Sequence, residues 1–196
     1  MTRLPGGSYP PALDNNMNPS TNKNRGEEMS TRSNALARRL ERGAVALEAL
    51  AQSLTDLEWR TRTADGRTVG VVVHHVATMY PLEIKLAQTL AKGKSVEGVN
   101  WNLVHQMNAD HAVEFKDVTK KEAIELLQKN SKAAADAIRS FNDEKLDRAA
   151  TVSLNANAPL TCQFIIEDHA LRHSYHHLER IRMALRQDRE AIKSVA

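Results

Sequence analysis

The segment from Leu160 to Leu185 constrains the fold most strongly, because it contains neither proline nor glycine and its apolar residues recur at helical spacing. One stripe runs at intervals of three and four residues and consists of Ile166, Ala170, His173, His177, Ile181 and Ala184. Such spacing is typical of the face that an amphipathic helix turns towards a protein core. The sequence therefore predicts a long helix that places two histidines in core positions.

His173 and His177 are one helical turn apart and should lie on the same side of this helix. Imidazoles at this spacing have Cβ atoms roughly 5–6 Å apart, close enough to hold one metal ion and leave room for a third ligand and a substrate. Two buried imidazoles without partners would cost on the order of 1–3 kcal/mol each, and one shared cation would satisfy both. The alternative is a pair of ordinary hydrogen-bonded core histidines.

A second pair, His74 and His75, lies in a segment from Thr68 to Met79 that we predict to be another helix, since no turn interrupts it before Pro81. His75 shares a face with the apolar residues Val72, Met79, Leu82 and Leu86. His74 points about 100° away, towards the more polar side of Gly70 and Thr78. His75 is therefore the candidate for a third ligand, giving a three-histidine site across two helices.

Two further helices complete the predicted fold. The first should run from about Ser33 to Leu54, with a stripe of Leu36, Leu40, Leu47, Leu50 and Leu54. The third should open at the capping box Thr119 to Glu122, end at Asn142-Asp143, and turn inward Ile124, Leu127, Ala134 and Ile138.

The connections between the helices carry signals of their own. Pro81 should kink or break the second helix, which resumes and ends at Gly93, and a further helical segment should cover about Trp101 to Phe115. Residues 149–159 should form a link that is either irregular or briefly extended. We therefore predict an all-α fold, an antiparallel-type four-helix bundle with an extra segment between its second and third helices.

Composition limits the function classes. The 196 residues carry a net charge of +3 with basic and acidic residues interspersed, so the basic stripe of a nucleic-acid-binding protein is missing. No stretch of 18 apolar residues and no signal peptide occurs, which argues against a membrane partner. The only cysteine, Cys162, rules out an internal disulfide. We expect a soluble, cytoplasmic protein.

Residues 1–30 differ from the rest, since they are rich in asparagine and serine and contain Pro5, Pro10, Pro11 and Pro19. They hold too few apolar side chains to offset their ordering entropy, so we expect a disordered tail before one bundle domain at residues 31–190. The alternative is that the tail reflects a start codon upstream of Met29.

Several motifs together resemble those of the DinB/YfiT-like superfamily of four-helix bundles. They are the run Asp65 to Gly70, the sequence His75-Val76-Ala77 that follows it, and the later group His173, His176, His177 and Ile181. The likeness covers residues 33–187 and extends to Asn108, the capped third helix and the link Asp143 to Asp147. This resemblance implies a divalent metal held by His75, His173 and His177.

The resemblance also implies a type of activity, because several members of the superfamily are transferases or isomerases that use bacillithiol or mycothiol. Three imidazoles leave coordination positions for water, a low-molecular-weight thiol or a substrate, and suit zinc or nickel. We therefore expect a metal-dependent thiol transferase acting on a small molecule. The alternatives are a metal-dependent hydrolase of a small ester or amide, and a non-catalytic binding or stress-response module in which the metal fastens two helices.

The other histidines and the cysteine leave alternatives open. His169 lies one turn before His173 and could replace His177 as a ligand, although the stripe and the resemblance favour His177. We expect His74 and His176 on the outer face or behind the ligands, and His105 and His111 at the surface or at a pocket mouth.

Two further expectations concern Cys162 and the oligomeric state. Cys162 should be a small buried or capping thiol. A homodimer is expected, because related bundles are often dimers and bulky residues are available for a self-complementary patch, namely Tyr80, Leu82 and Trp101.

Overall fold

The structure, a computed structural model, describes residues 30–195. The expected disordered tail therefore lies outside the described residues, except for Ser30. The side-chain oxygen of Ser30 accepts hydrogen bonds from the backbone amides of Arg32 and Ser33, and so caps the first helix.

Helices dominate the described chain. The first part comprises α1 (Thr31–Ser53), α2 (Asp56–Arg60), α3 (Val69–Ala91), α4 (Trp101–Glu114), α5 (Lys120–Arg139) and α6 (Asp143–Asp147). The second part comprises β1 (Ala149–Val152), a short 3-10 turn (Ser153–Asn155), β2 (Ala158–Thr161), α7 (Cys162–Ile165), a π-helical turn (Ile166–Leu171) and α8 (Arg172–Val195). The predicted all-α bundle with an extra segment, α4, before its third long helix is confirmed.

The long helices do not pack in the order of the sequence. Helix α5 packs against both α1 and α3, and α8 packs against the same two helices from the other side. Consequently α1 and α3 lie diagonally across the bundle, as do α5 and α8. Fully buried side chains fill the centre, among them Leu40, Leu47, Tyr80, Leu127, Ile138 and Ile181. The pairing of α3 with α8 brings the two predicted histidine-bearing helices into contact.

Pro81 lies inside a continuous α3, so of the two expected effects, a kink or a break, the break is wrong. A proline cannot donate to the carbonyl four residues earlier, which here belongs to Ala77. The side-chain amide of Asn130 on α5 donates to that carbonyl at 2.9 Å. The hydrogen bond lost by proline is thus replaced from a neighbouring helix.

The link before the last helix forms a small antiparallel hairpin, which matches the extended alternative. Ala149 pairs with Thr161 and Val152 with Ala158, and the turn uses the positive φ angles of Ala156 and Asn157, 55° and 58°. The final helical run begins at Cys162 instead of Leu160, and its π-helical turn ends just before Arg172.

Other boundaries also differ from the prediction. Helix α5 ends at Arg139, and Asn142 caps α6 by accepting from the backbone amide of Lys145. Tyr80 is fully buried and hydrogen-bonds to Ser174, so it cannot contribute to a dimer surface. None of the helices within residues 30–195 combines the length and apolar character that a membrane crossing requires.

Helix α2, which the sequence analysis missed, fixes the loop that leads into α3. The indole nitrogen of Trp59 donates to the carbonyl of Val118 at 3.1 Å. A Cβ atom at Gly70 would lie 2.5 Å from that indole nitrogen, so only glycine allows α2 to approach α3 this closely. The turn between α2 and α3 is closed by the backbone amide of Thr63, which donates to the carbonyl of Arg67 at 2.8 Å.

Candidate metal centre

The structure brings together the three predicted ligands, His75 of α3 with His173 and His177 of α8. One nitrogen from each imidazole can be chosen such that all three lie within 4.8 Å of one another. The ring of His75 lies 5.1 Å from that of His173 and 5.4 Å from that of His177, and the two rings on α8 are 4.7 Å apart. Among the described residues, no other group of three histidine, cysteine or acidic side chains meets at this spacing.

The environment keeps two of these imidazoles, those of His75 and His177, neutral. Burial lowers the pKa of His75 to about 2, and the neighbouring His173 adds to the effect. Burial and His173 likewise hold the pKa of His177 far below its usual value. A neutral imidazole offers the lone pair that a metal needs, so the low pKa values favour ligation over protonation.

Glu83 orients the imidazole of His173 through a hydrogen bond. It lies two turns after His75 on α3 and is buried, with 4% of its surface exposed. The Nδ1 of His173 donates to Oε1 of Glu83 at 2.5 Å. Because an ionised carboxylate only accepts, the proton sits on Nδ1 and the lone pair of Nε2 is left for a metal. Carboxylates hold metal-ligating histidines in this way in many proteins.

The donor set fits a divalent cation. Nδ1 of His177 and Oε2 of Glu83 are buried without a hydrogen-bond partner among the described residues, a costly arrangement for polar atoms unless a bound ion or water compensates them. Three imidazole nitrogens that meet at one point suit zinc or nickel. The residues therefore fit a cation with three protein ligands.

The remaining histidines of the last helical run do not join the cluster. His169 is half-buried, and its Nε2 lies 3.8 Å from Asp168. The alternative pair of His169 and His173 is thus not the pair that meets His75. His176 is exposed on the outer face, as expected, and so is His105 on α4.

His74 and His111 form a second pair that the sequence analysis did not foresee. Nδ1 of His74 lies 2.9 Å from Nε2 of His111, and both rings pack against Phe115. The ring of His111 is also 5.4 Å from that of His75. The surface interpretation of His111 is therefore wrong, and its position beside the site matches the alternative. Its four-residue spacing from Phe115 was the available signal.

A charged turn borders the site next to His177. Oδ2 of Asp65 accepts from Nη2 of Arg67 at 2.7 Å and lies 3.0 Å from Nη2 of Arg180, which follows His177 by three residues. Burial raises the pKa of Asp65, but hydrogen bonds from Arg67 and Thr63 hold it well below its usual range. Asp65 is therefore ionised and joins the loop before α3 to α8.

Cys162 is fully buried, and burial raises its pKa to about 12. The thiol is thus protonated at neutral pH, and the expectation of a small buried cysteine is confirmed. The chain offers no reactive thiolate at this position.

Comparisons with known proteins agree with this architecture. The model of the DinB superfamily matches residues 39–181. A solved structure, YfiT from Bacillus subtilis, superposes with a TM-score of 0.65 at 20% identity and covers 82% of this chain and 90% of its own. YfiT is described as a probable metal-dependent hydrolase with an unusual four-helix bundle topology. At this level of identity the likeness shows a shared fold. None of the curated proteins that were compared matches the chain.

Proposed function

The chain belongs to the DinB superfamily, and on that premise we propose that it is a metal-dependent enzyme whose divalent cation is held by His75, His173 and His177. One observation carries the proposal: three imidazoles from two helices, two of them buried and that of His173 half-buried, each place one nitrogen within 4.8 Å of the others. Three protein ligands with an open position are typical of catalytic sites, whereas structural sites usually have four. Zinc or nickel is the proposed ion.

The chain's own residues prepare the site in three ways. Burial keeps His75 and His177 neutral, so no proton competes for their lone pairs. Glu83 fixes the tautomer and orientation of His173. Helix α4 adds a neighbouring ring, because His111 lies 5.4 Å from the ring of His75. When bound, a divalent cation supplies a Lewis acid that lowers the pKa of a thiol or water in its open position.

The first candidate reaction is transfer of an external low-molecular-weight thiol to a small electrophile. The chemistry of Cys162 supports the need for an external thiol, because a buried cysteine with a pKa of about 12 cannot provide the thiolate. The second candidate is hydrolysis of a small ester or amide, which the description of YfiT as a probable metal-dependent hydrolase favours. Both reactions use the same three ligands and differ in the nucleophile.

Metal analysis and two substrate panels test the proposal. We expect the purified protein to bind one divalent ion per chain, and the double variant His173→Ala, His177→Ala to bind none. The exposed His105→Ala is the matched control and should bind normally. Stoichiometric metal in the double variant would contradict the assigned site.

The metal-loaded protein is then assayed with electrophiles in the presence and absence of thiols. Thiol transfer consumes thiol and electrophile together, whereas hydrolysis releases an acid without any thiol. If the protein binds metal but turns over no substrate in either panel, the result would favour a non-catalytic module over an enzyme.

A further inference from the structure

Two of the three guanidinium nitrogens of Arg67 donate hydrogen bonds to Asp65, and the third has no partner among the described residues. Its Nε and Nη2 donate to Oδ2 of Asp65 at 3.1 and 2.7 Å. Its Nη1 is buried and has no hydrogen-bond partner among the described residues. Only 13% of the surface of the whole side chain is exposed. A buried donor on a charged group is costly to leave unpaired, so a partner from outside the chain would be favoured there.

The guanidinium of Arg67 lies close enough to the histidine cluster for its charge to act on His75 and His177. Arg67 precedes Thr68, the residue that caps α3, and lies about two turns before His75 on the chain. Asp65 holds its guanidinium and also Arg180, one turn beyond His177 on α8. The guanidinium thus sits between the two helices that provide the ligands. Its positive charge also contributes, after burial, to the low pKa values of His75, His177 and His111.

The charges around the site favour an anion over a neutral ligand. Arg67 and Arg180 share one counterion, Asp65, so one positive charge is left over. Glu83 is the carboxylate next to the ligands and offsets only half the charge of a divalent cation. A bound thiolate would offset the other half. One positive charge therefore remains for a singly charged substrate group.

We propose that Nη1 of Arg67 binds a carboxylate of the substrate, so that the enzyme acts on small molecules carrying a carboxylic acid close to the reacting group. The inference rests on the function proposed above and specifies its substrate class. A carboxylate suits a single free guanidinium nitrogen, because it is compact and carries one charge. Arg67 is then a specificity-determining residue that fixes the substrate relative to the metal ligands.

A pair of thiols tests this assignment through binding alone. The cobalt-substituted protein is titrated with mercaptopropionate and with the neutral, equally long mercaptopropanol, and the sulfur-to-cobalt absorption band reports binding. The wild-type protein should bind mercaptopropionate about tenfold more tightly, the gain expected for one charge-assisted hydrogen bond. Equal affinities for the two thiols would overturn the proposal.

Variants separate Arg67 from direct chelation of cobalt by the carboxylate. Arg67→Gln should abolish the preference while leaving the affinity for mercaptopropanol within about twofold. Arg182→Gln, on the exposed side of α8, is the matched control and should keep the preference. A preference that persists in Arg67→Gln would show that the carboxylate binds the ion instead of the arginine, which overturns the proposal.

A measurement on the wild-type chain covers the case in which Arg67→Gln does not fold. In the zinc-loaded protein, the nitrogen NMR signals of the isotopically labelled Arg67 side chain should shift with mercaptopropionate and not with mercaptopropanol. Unchanged signals at saturation would overturn the assignment. The proposed function fails separately, if the wild-type protein shows no cobalt spectrum at all.

Discussion

Glu83 of α3 accepts a hydrogen bond from Nδ1 of His173 on α8, with the two atoms 2.5 Å apart. This contact links the two helices that carry the clustered histidines, and it determines which nitrogen of His173 faces the cluster. The carboxylate is buried, so its interaction with the imidazole is only weakly screened by solvent.

Glu83→Ala should therefore weaken metal binding by about 10–100-fold, the usual loss when the partner of a ligating histidine is removed. Glu83→Gln should lose less, because its amide oxygen can still accept from Nδ1. Competition with a chromophoric chelator measures both affinities. Glu179→Ala removes an exposed carboxylate of α8 as a control and should leave affinity unchanged. If Glu83→Ala binds metal as tightly as the wild-type protein, Glu83 does not orient His173.

The sequence was sufficient to predict the triad because two ordinary patterns coincide. The apolar stripe of α8 identifies the face that carries His173 and His177. The face predicted for α3 is only partly right, because Val72 and His75 are buried but Leu82 is exposed, and His74, expected on a more polar side, is buried as well. The resemblance then pairs the correct helices. Glu83 shares a helix with His75, but its partner depends on how α3 packs against α8, which periodicity does not specify.

The features that sequence reasoning missed depend on contacts between distant segments. Asn130 replaces the hydrogen bond that Pro81 removes, so the rule that proline breaks a helix fails here. His111 joins the site because α4 packs against α3, although α4 contains no fully buried residue to indicate that contact. Four-residue strands are also too short for an alternating pattern to be distinguished from a turn-rich link.

The buried histidines predict how the stability of the metal-free protein depends on pH. Burial lowers the pKa of His75 to about 2 and holds that of His177 well below its usual value. Below about pH 6.5 the unfolded chain therefore binds protons that the folded chain does not, and protonation favours unfolding. Each histidine should remove about 1.4 kcal/mol of unfolding free energy per pH unit once the pH is well below 6.5.

Urea denaturation of the chelator-treated protein between pH 7.5 and pH 5 measures this effect, since carboxylates titrate little in that range. We expect little change above about pH 7 and a steepening loss below about pH 6.5. His75→Gln should reduce the slope by less than half, because His111, whose pKa burial lowers to about 4, contributes as well. A flat profile down to pH 5 would mean that these imidazoles accept protons in the folded state.

The hydrogen bond from Asn130 to the carbonyl of Ala77 predicts a coupling between Asn130 and Pro81. Asn130→Ala should destabilise the protein by about 1–3 kcal/mol, because the partly buried carbonyl loses its only replacement donor. In a Pro81→Ala background the new backbone amide can donate to Ala77, so the same change should cost less. A double-mutant cycle in urea measures the difference. Equal costs in both backgrounds would show that Asn130 does not compensate for the proline.

Metal removal distinguishes a catalytic site from a structural clamp. The bundle core consists of apolar side chains such as Leu40, Leu127 and Ile181, all fully buried. The metal-free protein should therefore retain its helical circular dichroism and unfold cooperatively.

Free metal at about one hundred times its Kd should add about 2.7 kcal/mol of stability, which raises the Tm by several degrees in a protein of this size. The double variant His173→Ala, His177→Ala should show no such rise, whereas His105→Ala should behave as wild type. Collapse of the helical signal on chelation would instead identify the ion as a structural clamp between α3 and α8, since only then would the fold depend on it.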